Sequence, residues 1–277
     1  MTYQNPDGGW GYAAGEPSMV EATAAATLAL RDRPDFAETY ERGLAWLAAT
    51  QHRDGGWGMS AADRESGWQT AWAVLALAGA AADSAVARRG AAWLLAVQPP
   101  SAADTMLAEA RVKLAIDGSL YGWPWLPDQA AWVEPTALAL LALGALQDAG
   151  APAARLDEAV RYLADRRCAG GGWNFGNPVM LGASLPPRAH PTSWTLMALA
   201  GLRRNAIRPE DIAALRAEMT RDGGALALGL GLLALRTLGE DDDGATSRLL
   251  ALQAADGGWN GNPYHTAIAM MALRGAL

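Results

Sequence analysis

The chain has 277 residues, of which 51% are hydrophobic and 18% charged, enough to bury a sizeable core and against long disorder. A net charge of −7, with Lys113 the one lysine, argues against a nucleic-acid partner. Cys168 is the one cysteine, which excludes an internal disulfide and a thiolate metal cluster and points to a reducing, cytoplasmic setting. No secretory signal is seen at the start, and the longest apolar runs, such as Thr136–Leu146, are too short to span a bilayer.

Twelve tryptophans against two phenylalanines, with 31 glycines, call for an explanation, and repetition supplies it. Asp7-Gly8-Gly9-Trp10-Gly11 returns at Asp54-Gly55-Gly56-Trp57-Gly58, at Gly170-Gly171-Gly172-Trp173-Asn174 and at Asp256-Gly257-Gly258-Trp259-Asn260. Tyr121-Gly122-Trp123-Pro124-Trp125 is a looser copy, and Asp222-Gly223-Gly224-Ala225 has lost its tryptophan. Each turn is followed by an apolar segment with helical periodicity. These begin at Glu21, Trp68, Glu134, His190, Leu226 and Tyr264 and align without gaps. Apolar on every side, they are expected to be buried all round. Five of them carry a threonine two residues in, read as a helix-capping hydroxyl.

Mixed charged and apolar segments precede most turns: Tyr40–Gln51, Val86–Gln98, Leu156–Arg167, Glu210–Met219 and Ala245–Gln253. They read as amphipathic outer helices. Met1–Gln4 looks like the stump of another, and an insertion near 101–128 predicts one more helix over Ser101–Ile116. An open solenoid needs polar end caps, and the last helix is as apolar as the middle ones. The sequence therefore predicts an all-α, single α/α toroid over 1–277, with about six inner and five to six outer helices. The N-termini of the inner helices then share one rim around a central cavity.

The Gln-(x)n-Asp-Gly-Gly-Trp repeats, best at Gln51–Trp57 and Gln253–Trp259, resemble the QW motifs of the squalene cyclase and protein prenyltransferase superfamily. Gln69-Thr70-Ala71-Trp72-Ala73 resembles a cyclase inner-helix motif, and the similarity covers nearly the whole chain. The motif itself is structural, its glycines permitting the tight turn. Class II terpenoid cyclases carry Asp-x-Asp-Asp-Thr-Ala, whose middle aspartate protonates an alkene or epoxide. Aligned on Thr-Ala, it falls on Trp132-Val133-Glu134-Pro135-Thr136-Ala137, with Trp132 and Pro135 in place of two aspartates. The resemblance implies Glu134 as the acid, with His190 at the head of the next inner helix as its partner.

The rim column places Glu21 beside them as a third titratable group. Carbocations are stabilised by π-faces, which Trp68, Trp72, Trp132, Trp194 and Tyr264 would offer, with His265 lining the same mouth. Tyr264-His265-Thr266 also resembles the zinc-histidine segment of the prenyltransferases. The matching Asp-x-Cys is missing, since Asp165-Arg166-Arg167-Cys168 has the wrong spacing; no metal and no cofactor is expected. The reading is thus a cyclase-like enzyme acting on an isoprenoid. The alternative is a non-catalytic toroid that binds an apolar ligand or a partner protein. Peripheral membrane contact and oligomeric state stay open.

Overall fold

The computed structural model describes residues 3–80, 85–100, 114–146, 150–275 and 277. Among them are eleven α-helices. In chain order they are α1 (Val20–Leu30), α2 (Ala37–Ala49), α3 (Gln69–Ala80), α4 (Ala85–Ala96), α5 (Val133–Ala145), α6 (Ala153–Asp165), α7 (Ala189–Leu202), α8 (Pro209–Asp222), α9 (Ala225–Thr237), α10 (Asp243–Ala251) and α11 (Pro263–Arg274). Two short hairpins interrupt them: β1 (Trp123–Pro124) with β2 (Ala131–Trp132), and β3 (Val179–Met180) with β4 (Ala183–Ser184). The helix predicted over Ser101–Ile116 falls largely on 101–113, outside the described residues.

The odd-numbered helices are the inner set, and each packs on the next. The ring closes because α11 also packs on α1, so the apolar first and last inner helices shield each other. Arg274 locks this seam, donating to the Arg31 carbonyl at 2.7 Å and to that of Leu28 at 3.3 Å. In the outer layer Tyr3 Oη donates to Asp256 Oδ2 at 2.7 Å. The even-numbered helices bury one stripe each, as α6 does with Ala159, Tyr162 and Leu163. Outer helices begin up to three residues before the predicted starts, because their first turns are exposed and lack the apolar period used to find them.

The threonine column does something other than the expected capping. Thr23, Thr136, Thr192 and Thr266 lie four residues into their helices, too deep to cap them. Each hydroxyl instead accepts the backbone N–H of its turn tryptophan: Trp10 at 2.9 Å, Trp123 at 2.8 Å, Trp173 at 2.9 Å and Trp259 at 3.0 Å. Thr70 does the same for Trp57 at 2.9 Å. The indole N–H then reaches back to the preceding outer helix. Trp57 donates to Leu47 O at 2.8 Å, Trp123 to Leu94 O at 2.8 Å, Trp173 to Leu163 O at 2.6 Å and Trp259 to Leu249 O at 2.8 Å.

One tryptophan therefore ties outer helix, turn and inner helix together. The repeat that lost its tryptophan carries Leu228 in place of the threonine, so both halves of the clamp are gone together. Trp10 Nε1 has no acceptor among the described residues. The turn glycines are required by backbone shape and by crowding. Gly8 and Gly55 sit at φ 96° and 97°, and a Cβ on either would stand 2.8 or 2.7 Å from a carbonyl oxygen of the next outer helix.

Thr192→Val keeps the shape of the side chain and leaves the buried Trp173 N–H without an acceptor. It should cost about 1–3 kcal/mol in a denaturant titration; a change within error would show that the hydroxyl is dispensable.

Candidate functional site

Because the inner helices are parallel and aligned, equivalent positions form layers across the toroid. The uppermost layer, at the N-terminal rim, is Glu21, Trp68, Glu134, His190, Leu226 and Tyr264. All except Tyr264 keep part of their surface open, as residues around a mouth do. One helical turn below lie Ala25, Trp72, Leu138, Trp194, Leu230 and Ile268, and every one of them is buried. The axis is closed at that level. Trp72 packs edge-to-face on Trp194, with ring centroids 5.1 Å apart, and on Tyr264 at 5.8 Å. Tyr264 in turn meets Tyr12 at 6.3 Å.

The carboxyls sit over this aromatic floor. Glu21 Oε2 accepts a short hydrogen bond from the Tyr12 hydroxyl. Burial raises the Glu21 pKa to about 7, against the pull of the Tyr12 and Tyr264 hydroxyls, which favour the charged form. Glu134 is pushed further, to about 8, first by burial and then by repulsion from Glu21. The pair divides its roles by environment. Glu21 has phenol donors that stabilise an anion, whereas the neighbour that acts on Glu134 opposes its ionisation. At neutral pH Glu134 therefore holds a proton. Burial, Glu21 and Glu134 all raise the Tyr264 pKa, so its phenol stays protonated as a donor.

Burial lowers the His190 pKa, and the charge that acts on it is Asp222, at the end of α8. His265 is lowered by burial and by His190, and its Nδ1 lies 3.0 Å from Asn260 Nδ2. The two imidazoles thus form a neutral pair on the rim.

Two of the aromatic candidates face elsewhere. Trp132 is 37% exposed, with its ring against Gly176, and lines a small outer pocket with Tyr121 and Tyr162. Trp68 stacks edge-to-face on Trp125 at 4.8 Å and lines a rim pocket of 400 Å³ with Met59, Gln69 and Leu126. The sequence reading missed Tyr12. It lies two residues after its turn tryptophan, where the other copies carry Met59, Trp125, Phe175 and Gly261. Alignment of the turn columns, as well as the helix columns, would have exposed its polar end. The run Glu240-Asp241-Asp242-Asp243 lies away from the rim: Asp242 caps α10, accepting from Ala245 N at 2.8 Å.

Among the described residues no three His, Cys, Asp or Glu side chains stand where they could hold a metal ion, and no helix is long and apolar enough to cross a membrane.

No protein-family model matches the chain, and no curated protein does. Solved structures do. A protein from Actinoplanes matches with a TM-score of 0.66 at 18% identity, over 99% of this chain and 95% of its own. The type II terpene cyclase MstE from Scytonema matches with a TM-score of 0.65 at 17% identity, over 98% of this chain and 92% of its own. A variant of that cyclase has been solved with geranylgeranyl dihydroxybenzoate, its substrate. The ent-copalyl diphosphate synthase from Streptomyces platensis matches with a TM-score of 0.59 at 19% identity, over 93% of this chain and 50% of its own. This chain has the all-α toroid fold of the class II terpenoid cyclases.

Proposed function

We propose that the protein is a class II terpene cyclase-like enzyme that isomerises an isoprenoid by proton-initiated cyclisation at the N-terminal rim. The observation that carries this reading is Glu134 on one rim with Glu21 above a floor of buried aromatic rings, where burial and Glu21 both raise its pKa. Glu134 donates its proton to a terminal alkene or epoxide. The π-electrons of the next double bond close the ring and pass the positive charge along the chain. The faces of Trp72, Trp194 and Tyr264 supply negative quadrupole to that charge without a nucleophile that would trap it. Loss of a proton from the last cation completes an isomerisation, and the neutral His190 and His265 are basic groups on the same rim. Glu21, held by the Tyr12 and Tyr264 hydroxyls, opposes ionisation of Glu134 and so makes its proton easier to retain until the substrate is bound. That a variant of MstE was solved in complex with geranylgeranyl dihydroxybenzoate supports an apolar small-molecule substrate here.

A second reading, a toroid that binds an apolar ligand or partner without turnover, is favoured by one observation. The buried layer of Trp72 and Trp194 leaves a substrate only the space above it, in the rim. Incubation with linear isoprenoids of increasing length, with and without a terminal epoxide or diphosphate, separates the two. A cyclised isomer in the wild type and none with Glu134→Gln supports the enzyme. A co-purified or stabilising lipid without product supports the binding toroid.

A further inference from the structure

The opposite, C-terminal end of the toroid axis holds a pocket of 370 Å³, within the range of small-molecule sites. The buried layer of Trp72 and Trp194 lies between it and the carboxyls. Its walls are apolar, with Leu75, Leu140, Met197 and Leu202.

Two exposed glycines, Gly144 and Gly201, are part of its lining. Three other helical glycines are needed because something lies against them. A Cβ on Gly43 would stand 2.5 Å from Thr27 Oγ1, one on Gly90 2.5 Å from Val74 Cγ2, and one on Gly231 2.3 Å from Met219 Sδ. Among the described residues nothing lies within 4 Å of that position at Gly201, and at Gly144 the nearest atom is Leu202 Cδ2 at 3.9 Å. Neither has a positive φ. A helical glycine is less stable than alanine, so these two weaken their helices with no steric need, and both face the same pocket.

The polar side of the pocket is Arg31. The layer to which it belongs reads Arg31, Ala78, Gly144, Ala200, Arg236 and Arg274, which sets three arginines of adjacent repeats opposite three small residues. Arg274 is engaged with the carbonyls of Arg31 and Leu28, and Arg236 with the Ala272 carbonyl and with Asp241. Arg31 is half-buried, and its Nε, in contrast, is buried with no hydrogen-bond partner among the described residues. A buried guanidinium N–H without an acceptor is costly. Arg274 already covers the neighbouring helix-end carbonyls, so an anion placed at Arg31 would not meet their bare negative end.

We propose that this pocket is a second binding site, for an amphipath with a medium-length hydrocarbon tail and a carboxylate head. The tail lies on the leucines over Gly144 and Gly201. The head lies on Arg31, whose planar fork matches a carboxylate.

Calorimetric titration with decanoate, decanol and decyl phosphate tests this on the full chain. Decanoate should bind the wild type at least tenfold more tightly than decanol. Gly201→Leu, and independently Gly144→Leu, should fill the pocket and abolish binding while each variant still melts cooperatively. Arg31→Met should bring decanoate down to the level of decanol. Glu134→Gln should bind decanoate like the wild type, which separates this pocket from the rim site. Absence of saturable binding, or full binding in the glycine variants, would overturn the proposal, and so would weakened binding in Glu134→Gln. Decanol equal to decanoate would remove Arg31 from it, and decyl phosphate binding more tightly than decanoate would overturn the carboxylate assignment.

Discussion

Trp57→Ala should cost about 3–5 kcal/mol from the cavity it leaves, with about 1 kcal/mol more for the hydrogen bond lost at Leu47. Trp57 is fully buried, its Nε1 donates to Leu47 O at 2.8 Å, and its ring lies so close to Gly90 that a Cβ there would be 2.7 Å away. Set against the roughly 5–15 kcal/mol that holds a typical domain together, that is a large share. The thermal midpoint should fall by roughly 10 °C or more. The comparison that isolates the clamp is Trp57→Phe against Trp10→Phe. Both remove an indole N–H, but among the described residues only the first N–H has an acceptor. Trp57→Phe should be the more destabilising by about 1 kcal/mol. Equal losses would mean that ring packing, and not the tie to the outer helix, sets the value of the motif.

Thermal stability should fall between pH 5 and pH 9, and Glu134→Gln should flatten that fall. The sign follows from linkage. Glu134 titrates near 4.5 in an unstructured chain and near 8 in the fold. The folded state therefore binds the proton more tightly. The stabilisation is fully present below 4.5 and is lost as pH rises through 8, when a half-buried carboxylate must be accommodated beside Glu21. Because Glu134 faces an open rim, solvent screens part of the effect, and about 2 kcal/mol is expected, or roughly 5 °C. Glu21, raised to about 7, adds to the same slope over a lower window. The reading of Glu134 as a proton donor makes turnover decline through the same region near pH 8. Stability that rises from pH 5 to 9, or a slope unchanged by Glu134→Gln, would show that Glu134 is ionised in the fold.

The toroid was legible because the chain repeats. Six aligned copies turn a weak local signal into a strong one, and the packing of α11 on α1 buries the apolar faces of both. The layers were legible for the same reason: Glu21, Glu134, His190 and Tyr264 can be placed on one rim by counting from the turns. What counting could not give was direction and depth. The threonines sit on the inner helices where capping residues would be sought, yet they face the tryptophan turns. Trp72 and Trp194 were readable as aromatic lining, but that they meet and close the axis depends on the ring's diameter, which no local pattern encodes. His190 heads the helix after Glu134, while its field comes from Asp222 on an outer helix. Tyr12 was hidden because it belongs to a turn and not to the helical period.

The central claim is that Glu134 delivers a proton to an isoprenoid at the rim. Its most direct test is to run the reaction in D2O on an alkene-terminated isoprenoid, where the delivered proton forms a stable carbon–hydrogen bond, and weigh the product. A cyclised isomer that carries one solvent deuterium, at the carbon first attacked, and that disappears with Glu134→Gln, is the predicted result. Product formed without deuterium, or formed equally by Glu134→Gln, would contradict the assignment of Glu134, and no product from any isoprenoid would leave the toroid as a binder.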